Sequence, residues 1–270
     1  MSERMNMLKL KNSAFGLLLL LGLVAMVPRL AGAATPNAQD ILAASDAVRN
    51  PAKPFGLTTH LVEYRNGKET ATMSLAIYAK AEASGGQFRN LVRFVAPVRD
   101  ANKLMLKSGN DLWFYDPSSK ASIRMSPQQR LLGQAANGDV VTVNLALDYQ
   151  AKLAAQEDIQ DGDRKTRNCY RLALAASSPD VTYHRIELWI DTTTNQPVKG
   201  KYYSESDRLL KTAYYRKVEK QLGADRPTET VIIDGLDPSW VTVMRYADWA
   251  WRDVPDAWLQ RDYLPRFKPE

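Results

Sequence analysis

A single cysteine and two histidines among 270 residues remove several kinds of chemistry at the outset. With Cys169 alone, no intramolecular disulfide can form, even though the N-terminus points to export into an oxidising compartment. Within "NCYRLAL" that cysteine reads as a small buried side chain rather than a reactive thiol. His60 and His184 sit in strand-like patterns without Cys, Asp or Glu at ligand spacing, so they read as strand residues and not as a metal pair. No G-x-S-x-G, P-loop or G-x-G-x-x-G occurs, which leaves nucleophile-elbow and nucleotide-binding activities without support. The stretch "DIQDGDR" gathers Asp158, Asp161 and Asp163 but lacks the later Glu of a calcium loop, and reads as a turn. No catalytic residue, metal or cofactor is expected.

Long hydrophobic runs are also scarce. The one candidate, "AFGLLLLLGLVAM" from Ala14 to Met26, is thirteen residues long, short of the roughly 18–20 needed to span a bilayer. Arg4, Lys9 and Lys11 precede it, and Pro28 and the triplet Ala31-Gly32-Ala33 follow. This is the layout of a secretory signal peptide over residues 1–33, cleaved after Ala33, and it predicts a periplasmic location. Four of the 36 Lys and Arg and one of the 30 acids fall in that leader, so the net charge of +6 drops to +3 in residues 34–270. Such a balance makes no case for nucleic acid. Residues 34–270 have neither linker nor repeat, and read as one domain and a monomer.

What remains is β-rich. "PNAQDILAASDAVRN" has helical spacing through Ile41, Leu42, Ala44, Ser45 and Val48 and is stopped by "NPAKP". Beyond Phe55 the apolar period becomes two. Asn66-Gly67 is a hairpin signal between "GLTTHLVEYR" and "KETATMSLAIYAK". In the second of these, Ala71, Met73, Leu75, Ile77 and Ala79 share one face. Further short strands follow at close intervals, and their spacing predicts an antiparallel meander forming a sandwich or barrel. "VNLALDYQAKLAAQED" reads as a helix, because Leu145, Tyr149 and Leu153 recur every four residues. A short terminal helix is expected around "DAWLQRDYL".

Some strands are apolar on both faces. In "NDLWFYDPSSKASIRM" the run Leu112, Trp113, Phe114, Tyr115 places bulk on either side. "KLMLK" does the same, and so does "HRIELWID", where Trp189 opposes Ile186, Leu188 and Ile190. A core on one face with aromatic pairs on the other accounts for this pattern. A sheet with a face kept for an apolar ligand accounts for it as well.

The segment Leu91–Gly133, "LVRFVAPVRDANKLMLKSGNDLWFYDPSSKASIRMSPQQRLLG", resembles the signature of the outer membrane lipoprotein-sorting (LolA-like) family. It matches through Arg93, Phe94 and Pro97; Leu104 and Leu106; Trp113, Tyr115 and Pro117; Lys120 and Arg124; and Gly133. The C-terminal "RYADWAWRDVPDAWLQRDYLPRF" is similar to the ending of one proteobacterial, exporter-associated branch. It departs from many relatives at Asn102, where they have Gly, and in the loop "GQAANGDVVTVNLALDY". The resemblance implies a mainly β fold with a few helices: an incomplete antiparallel β-barrel, or half-barrel, whose concave face is closed by helices. It further implies non-covalent binding of lipid or lipoprotein acyl chains and their transfer between envelope partners. An inner-membrane RND/MMPL-type exporter or sorting complex is the implied partner. The alternative it leaves open is a sensory or regulatory module acting on a membrane partner without cargo. On this basis Leu104, Leu106, Trp113, Tyr115, Leu188 and Trp189 are the candidates for lining the hollow.

Overall fold

The computed structural model describes residues 36–268, so the expected leader and its cleavage site lie outside the described residues. In chain order the elements are α1 (Ala38–Arg49), β1 (Phe55–Arg65), β2 (Lys68–Ala81), β3 (Phe88–Ala96), β4 (Leu104–Ser108), β5 (Asp111–Asp116), β6 (Ala121–Arg124), β7 (Arg130–Leu132), β8 (Ala135–Ala136), α2 (Leu145–Asp148), β9 (Tyr149–Gln160), β10 (Thr166–Ala176), β11 (Arg185–Asp191), β12 (Pro197–Tyr203), β13 (Leu209–Gln221), β14 (Ala224–Asp234) and β15 (Trp240–Trp251). Two 3-10 turns, Asp256–Leu259 and Arg261–Arg266, follow β15. Among the described residues no helix is long and apolar enough to cross a membrane.

Thirteen strands form one antiparallel sheet in the order β6-β5-β4-β3-β2-β1-β15-β14-β13-β12-β11-β10-β9, and β7 pairs with β8 apart from it. Consecutive strands pair within β1–β6 and within β9–β15, and the β1–β15 ladder joins the two halves of the meander. The sheet does not close: β6 and β9 are its edges. This is the unclosed antiparallel sheet with few helices that the family resemblance implies.

Local chemistry sets the turns. Asn66 and Gly67 both take positive φ, 51° and 75°, as a two-residue hairpin loop between twisted strands requires. Asn102 also sits at positive φ, 66°, just before β4; after Gly, Asn tolerates that conformation best.

Two expectations need correction. Of the helix over 143–158, only the single turn α2 forms; Tyr149–Gln160 is the edge strand β9, with burial alternating residue by residue. A four-residue apolar spacing is also an even spacing, so Leu145, Tyr149 and Leu153 suit a strand face equally well. The terminal helix is two 3-10 turns, the second containing Pro265, whose missing N–H cannot continue an α-helical ladder.

The main face of the sheet is covered along its length, the opposite face where the C-terminal segment lies over β3, β4 and β5. On the concave face Leu61, Leu75, Ile77, Val92, Met105, Leu172, Leu188 and Met244 belong to the main core, against which α1 buries Ile41 and Leu42. On the convex face Leu91, Leu104, Leu106 and Tyr115 pack under Val254, Leu259 and Leu264 of the C-terminal segment. The double-sided bulk of "DLWFYD" is thereby explained: Leu112 and Phe114 face the main core, while Trp113 and Tyr115 face the C-terminal turns.

Candidate functional site

The topology dictates what lies over the concave face. Because β6 and β9 are opposite edges, the chain between them must pass across the open side of the sheet. It does so as a loop pinned to inward-facing side chains. The Asn90 amide donates to the Thr142 carbonyl and accepts from the Thr142 amide, both at 2.9 Å. Thr242 Oγ1 accepts from the Gln134 amide at 2.8 Å. Gly133 makes this approach possible: its φ is +54°, and a Cβ there would lie 2.3 Å from Thr242 Oγ1.

Helix α1 lies beside the loop. Asn37 caps its start by accepting from the Gln39 amide at 2.8 Å. Gln39 Nε2 donates to the Ala146 carbonyl at 2.7 Å, and Asp46 accepts from the Ala146 amide at 2.7 Å. At the far end Asn50 Nδ2 donates to the Val143 carbonyl at 2.9 Å. Helix and loop thus form one lid, tied together by polar contacts and packed on an apolar sheet face through Ile41, Leu42, Val140 and Val141.

Beneath this lid are two adjoining cavities of about 100 and 110 Å³. The first is walled by Phe55, Leu57, Thr59 and Ile77 of β1 and β2, Trp249 of β15, and Val140 and Val141 of the loop. The second runs toward Ile186, Tyr202, Ala213 and Met244. Arg49, Asp139, Tyr215, Thr230 and Tyr246 border both. Tyr215 also borders a larger pocket, about 470 Å³, between Ala47 and Val48 of α1 and Pro197, Val198 and Val218 of the sheet. Tyr215 therefore stands between this wider pocket and the inner cavities.

The hollow also contains polar groups, nearly all of them matched. Lys211, 3% exposed, pairs with Asp139 and donates to the Gln134 carbonyl at 3.2 Å. Burial lowers the Lys211 pKa and Asp139 opposes that shift. Tyr183 donates to Asp139 at 2.7 Å, and Tyr149 to the Tyr183 carbonyl at 3.0 Å. The Tyr202 and Tyr215 hydroxyls meet at 2.5 Å, those of Thr230 and Tyr246 at 3.1 Å. Burial raises the pKa of Tyr149, Tyr183, Tyr202, Tyr215 and Tyr246 alike, so these phenols stay neutral. Neutral, mutually bonded phenols make a wall that tolerates hydrocarbon.

The six residues singled out from sequence separate into three groups. Leu104, Leu106, Trp113 and Tyr115 come together, but on the convex face beneath the C-terminal turns. Leu188 is in the main core. Trp189 packs with Cys169 and Val198 on the other face, its indole donating to Glu157 at 2.8 Å. None of the six borders the two inner cavities. The residues that do, such as Thr59, Trp249 and Tyr215, were not singled out. For Trp249 the reason is a bulge: Gly56 pairs with Ala250 but Thr58 with Ala247, so β15 has one extra residue where Asp248 takes φ 54°. The insertion brings Trp249 to the face of Tyr246, where it stacks on Phe55 at 5.8 Å.

His60 bonds Ser74 on an exposed surface at 2.9 Å, and among the described residues no group of three or more His, Cys, Asp or Glu is placed to hold a metal.

The comparisons agree with this architecture. A family model described as an uncharacterized protein-like family matches residues 86–266. No curated protein matches the chain. Among solved structures, a LolA superfamily protein from Nitrosomonas europaea is 32% identical, with a TM-score of 0.76 over 85% of this chain and 100% of that one. A DUF1329 family protein from Desulfovibrio piger is 21% identical, with a TM-score of 0.71 over 84% and 97% of the two chains. An outer membrane lipoprotein-sorting protein domain from Vibrio parahaemolyticus is 17% identical, with a TM-score of 0.71 over 85% and 98%. The last two share the fold; the first, alike in sequence along its whole length, shows that this chain belongs to the LolA superfamily.

Proposed function

We propose that this chain is a periplasmic carrier that holds the acyl chains of a lipid or lipoprotein in its hollow without covalent chemistry and passes them to an envelope partner. The observation that supports this reading is the concave sheet face: apolar, unclosed at its edges and, among the described residues, covered by one helix and one loop that are held by polar contacts and by the packing of Ile41, Leu42, Val140 and Val141. Burial alone supplies the binding energy, about 0.8 kcal/mol per methylene, so a 14-carbon chain gains on the order of 10 kcal/mol before its ordering cost. No catalytic group is needed.

The inner cavities, near 100 Å³ each, fall below the roughly 300–1,000 Å³ of ordinary ligand pockets. Cargo entry into these inner cavities therefore requires α1, the crossing loop or Tyr215, which borders the wider pocket, to move aside. Gentle purification from the periplasm followed by native mass spectrometry and lipid extraction tests the reading. A bound lipid or acylated peptide is expected. A protein that arrives empty and takes up neither phospholipid nor lipopeptide when offered would overturn it.

A further inference from the structure

Most buried polar groups of the hollow have partners. Two on the wall of the first cavity do not: Thr59 Oγ1 and Trp249 Nε1 are buried and have no hydrogen-bond partner among the protein's own described groups. Thr59 is fully buried in the middle of β1, between Leu75 of β2 and Tyr246 of β15. Trp249 is turned inward by the β15 bulge and held between Phe55, stacked at 5.8 Å, and Tyr246, edge-on at 6.5 Å. Leaving a buried donor unmade is costly, and buried polar groups almost always find partners. Two such donors on one cavity mark a place where an acceptor is missing.

The surroundings narrow its chemistry. Phe55, Leu57 and Ile77 make the rest of the wall apolar. The Asp139 carboxylate borders the same space and disfavours a second negative charge. Arg49, the cation at the rim, is already engaged, donating to Asp46 at 2.6 Å and to the Val143 carbonyl at 3.0 Å. The fitting group is a neutral oxygen with two lone pairs on an otherwise apolar molecule.

We propose that this cavity seats the carbonyl oxygen of a neutral acyl group, an ester or amide, with Thr59 Oγ1 and Trp249 Nε1 as its two donors. The proposal rests on the acyl-carrier reading and adds to it: the hollow recognises the acyl linkage as well as the hydrocarbon. It gives Thr59 two effects of opposite sign. Replacing its hydroxyl by a methyl removes an unmatched polar group from the empty protein while deleting a donor from the loaded one.

The test compares wild type, Thr59→Val, Thr59→Ser and Trp249→Phe of the full chain, with methyl palmitate and hexadecane as probes in displacement of a fluorescent fatty acid. Thermal unfolding is measured in parallel. Expected are a Thr59→Val protein at least as stable as wild type that binds methyl palmitate about tenfold more weakly, recovery in Thr59→Ser, a similar loss in Trp249→Phe, and hexadecane binding unchanged across the series. Wild-type affinity for methyl palmitate in both Thr59→Val and Trp249→Phe would overturn the seat and leave the carrier reading standing, because solvent alone would then occupy the cavity. A wild-type protein that binds neither probe overturns both.

Discussion

The guanidinium of Arg261 lies 3.9 Å over the centre of the Trp113 ring. Trp113 stands on β5, and Arg261 opens the second C-terminal 3-10 turn, so the contact fastens the end of the chain to the convex face of the sheet. Tyr78, Trp258 and Phe267 complete the patch, with Tyr78 and Trp258 edge-on at 5.4 Å. The strand that looks most like a ligand-binding surface in sequence is, in the fold, the seat of its own C-terminus.

Trp113→Ala should therefore act on stability. Truncating a large buried aromatic costs about 3–5 kcal/mol; for a half-buried ring the low end of that range is expected, measured as a shift in the urea midpoint. Acyl-probe affinity of the folded protein should not change. A variant that keeps its stability but loses affinity would return Trp113 to the lining of the hollow.

The Lys211–Asp139 pair ties the wall of β13 to the crossing loop. Breaking a buried pair by removing one partner costs about 3–5 kcal/mol, because a charge is left without its counterpart. Lys211→Met should lose about that much in urea unfolding. Combining it with Asp139→Asn should recover part of the loss, since no charge is then stranded. If the double variant is as unstable as the two single losses added together, the pair is not the unit that holds the loop.

The architecture was legible in the sequence wherever the apolar period held for a whole strand. Met73, Leu75, Ile77 and Ala79 share the concave face as their alternation implies, and Asn66-Gly67 turns where its chemistry requires. The candidate site was not legible, for two physical reasons. Parity identifies two faces but not which is concave, and at β3 to β5 both are covered, so Leu104, Leu106, Trp113 and Tyr115 look the same as lining residues until the C-terminal turns are placed. A β-bulge reverses parity by one residue without a mark in the hydrophobic pattern. Counted straight from Met244 and Tyr246, Asp248 would face inward; its positive φ turns Trp249 there instead. The crossing loop adds polar anchors, Asn90 and Thr242, whose partners are distant in the chain.

Cys169 should be chemically silent in the folded protein. It is fully buried beside Trp189 and Val198. Burial, reinforced by Asp191, pushes its thiol pKa up to about 12, so almost no thiolate exists at neutral pH. A thiol-reactive chromogen at pH 8 is expected to label nothing on the time scale of minutes and one thiol per chain after denaturation. Rapid labelling of the native protein would show that β9 and β10, at the edge of the sheet, open far more readily than their burial implies.

Glu229 on β14 gathers three cations, with Lys217 Nζ and Arg245 Nε each at 3.0 Å and Arg216 at 3.3 Å. Burial alone would raise its pKa; hydrogen bonds and charge from Lys217 and Arg245 outweigh burial and hold it below the usual carboxylate value. A carboxylate with a depressed folded-state pKa binds fewer protons folded than unfolded. Its stabilisation is complete above the unfolded value of about 4.3 and is lost as pH falls through the folded value. Glu229→Gln should accordingly be less stable than wild type at pH 7, and the gap in urea midpoints should narrow as pH falls below about 4. A gap that stays constant down to pH 3 would mean that the variant loses packing between β13, β14 and β15, with no contribution from the charge of Glu229.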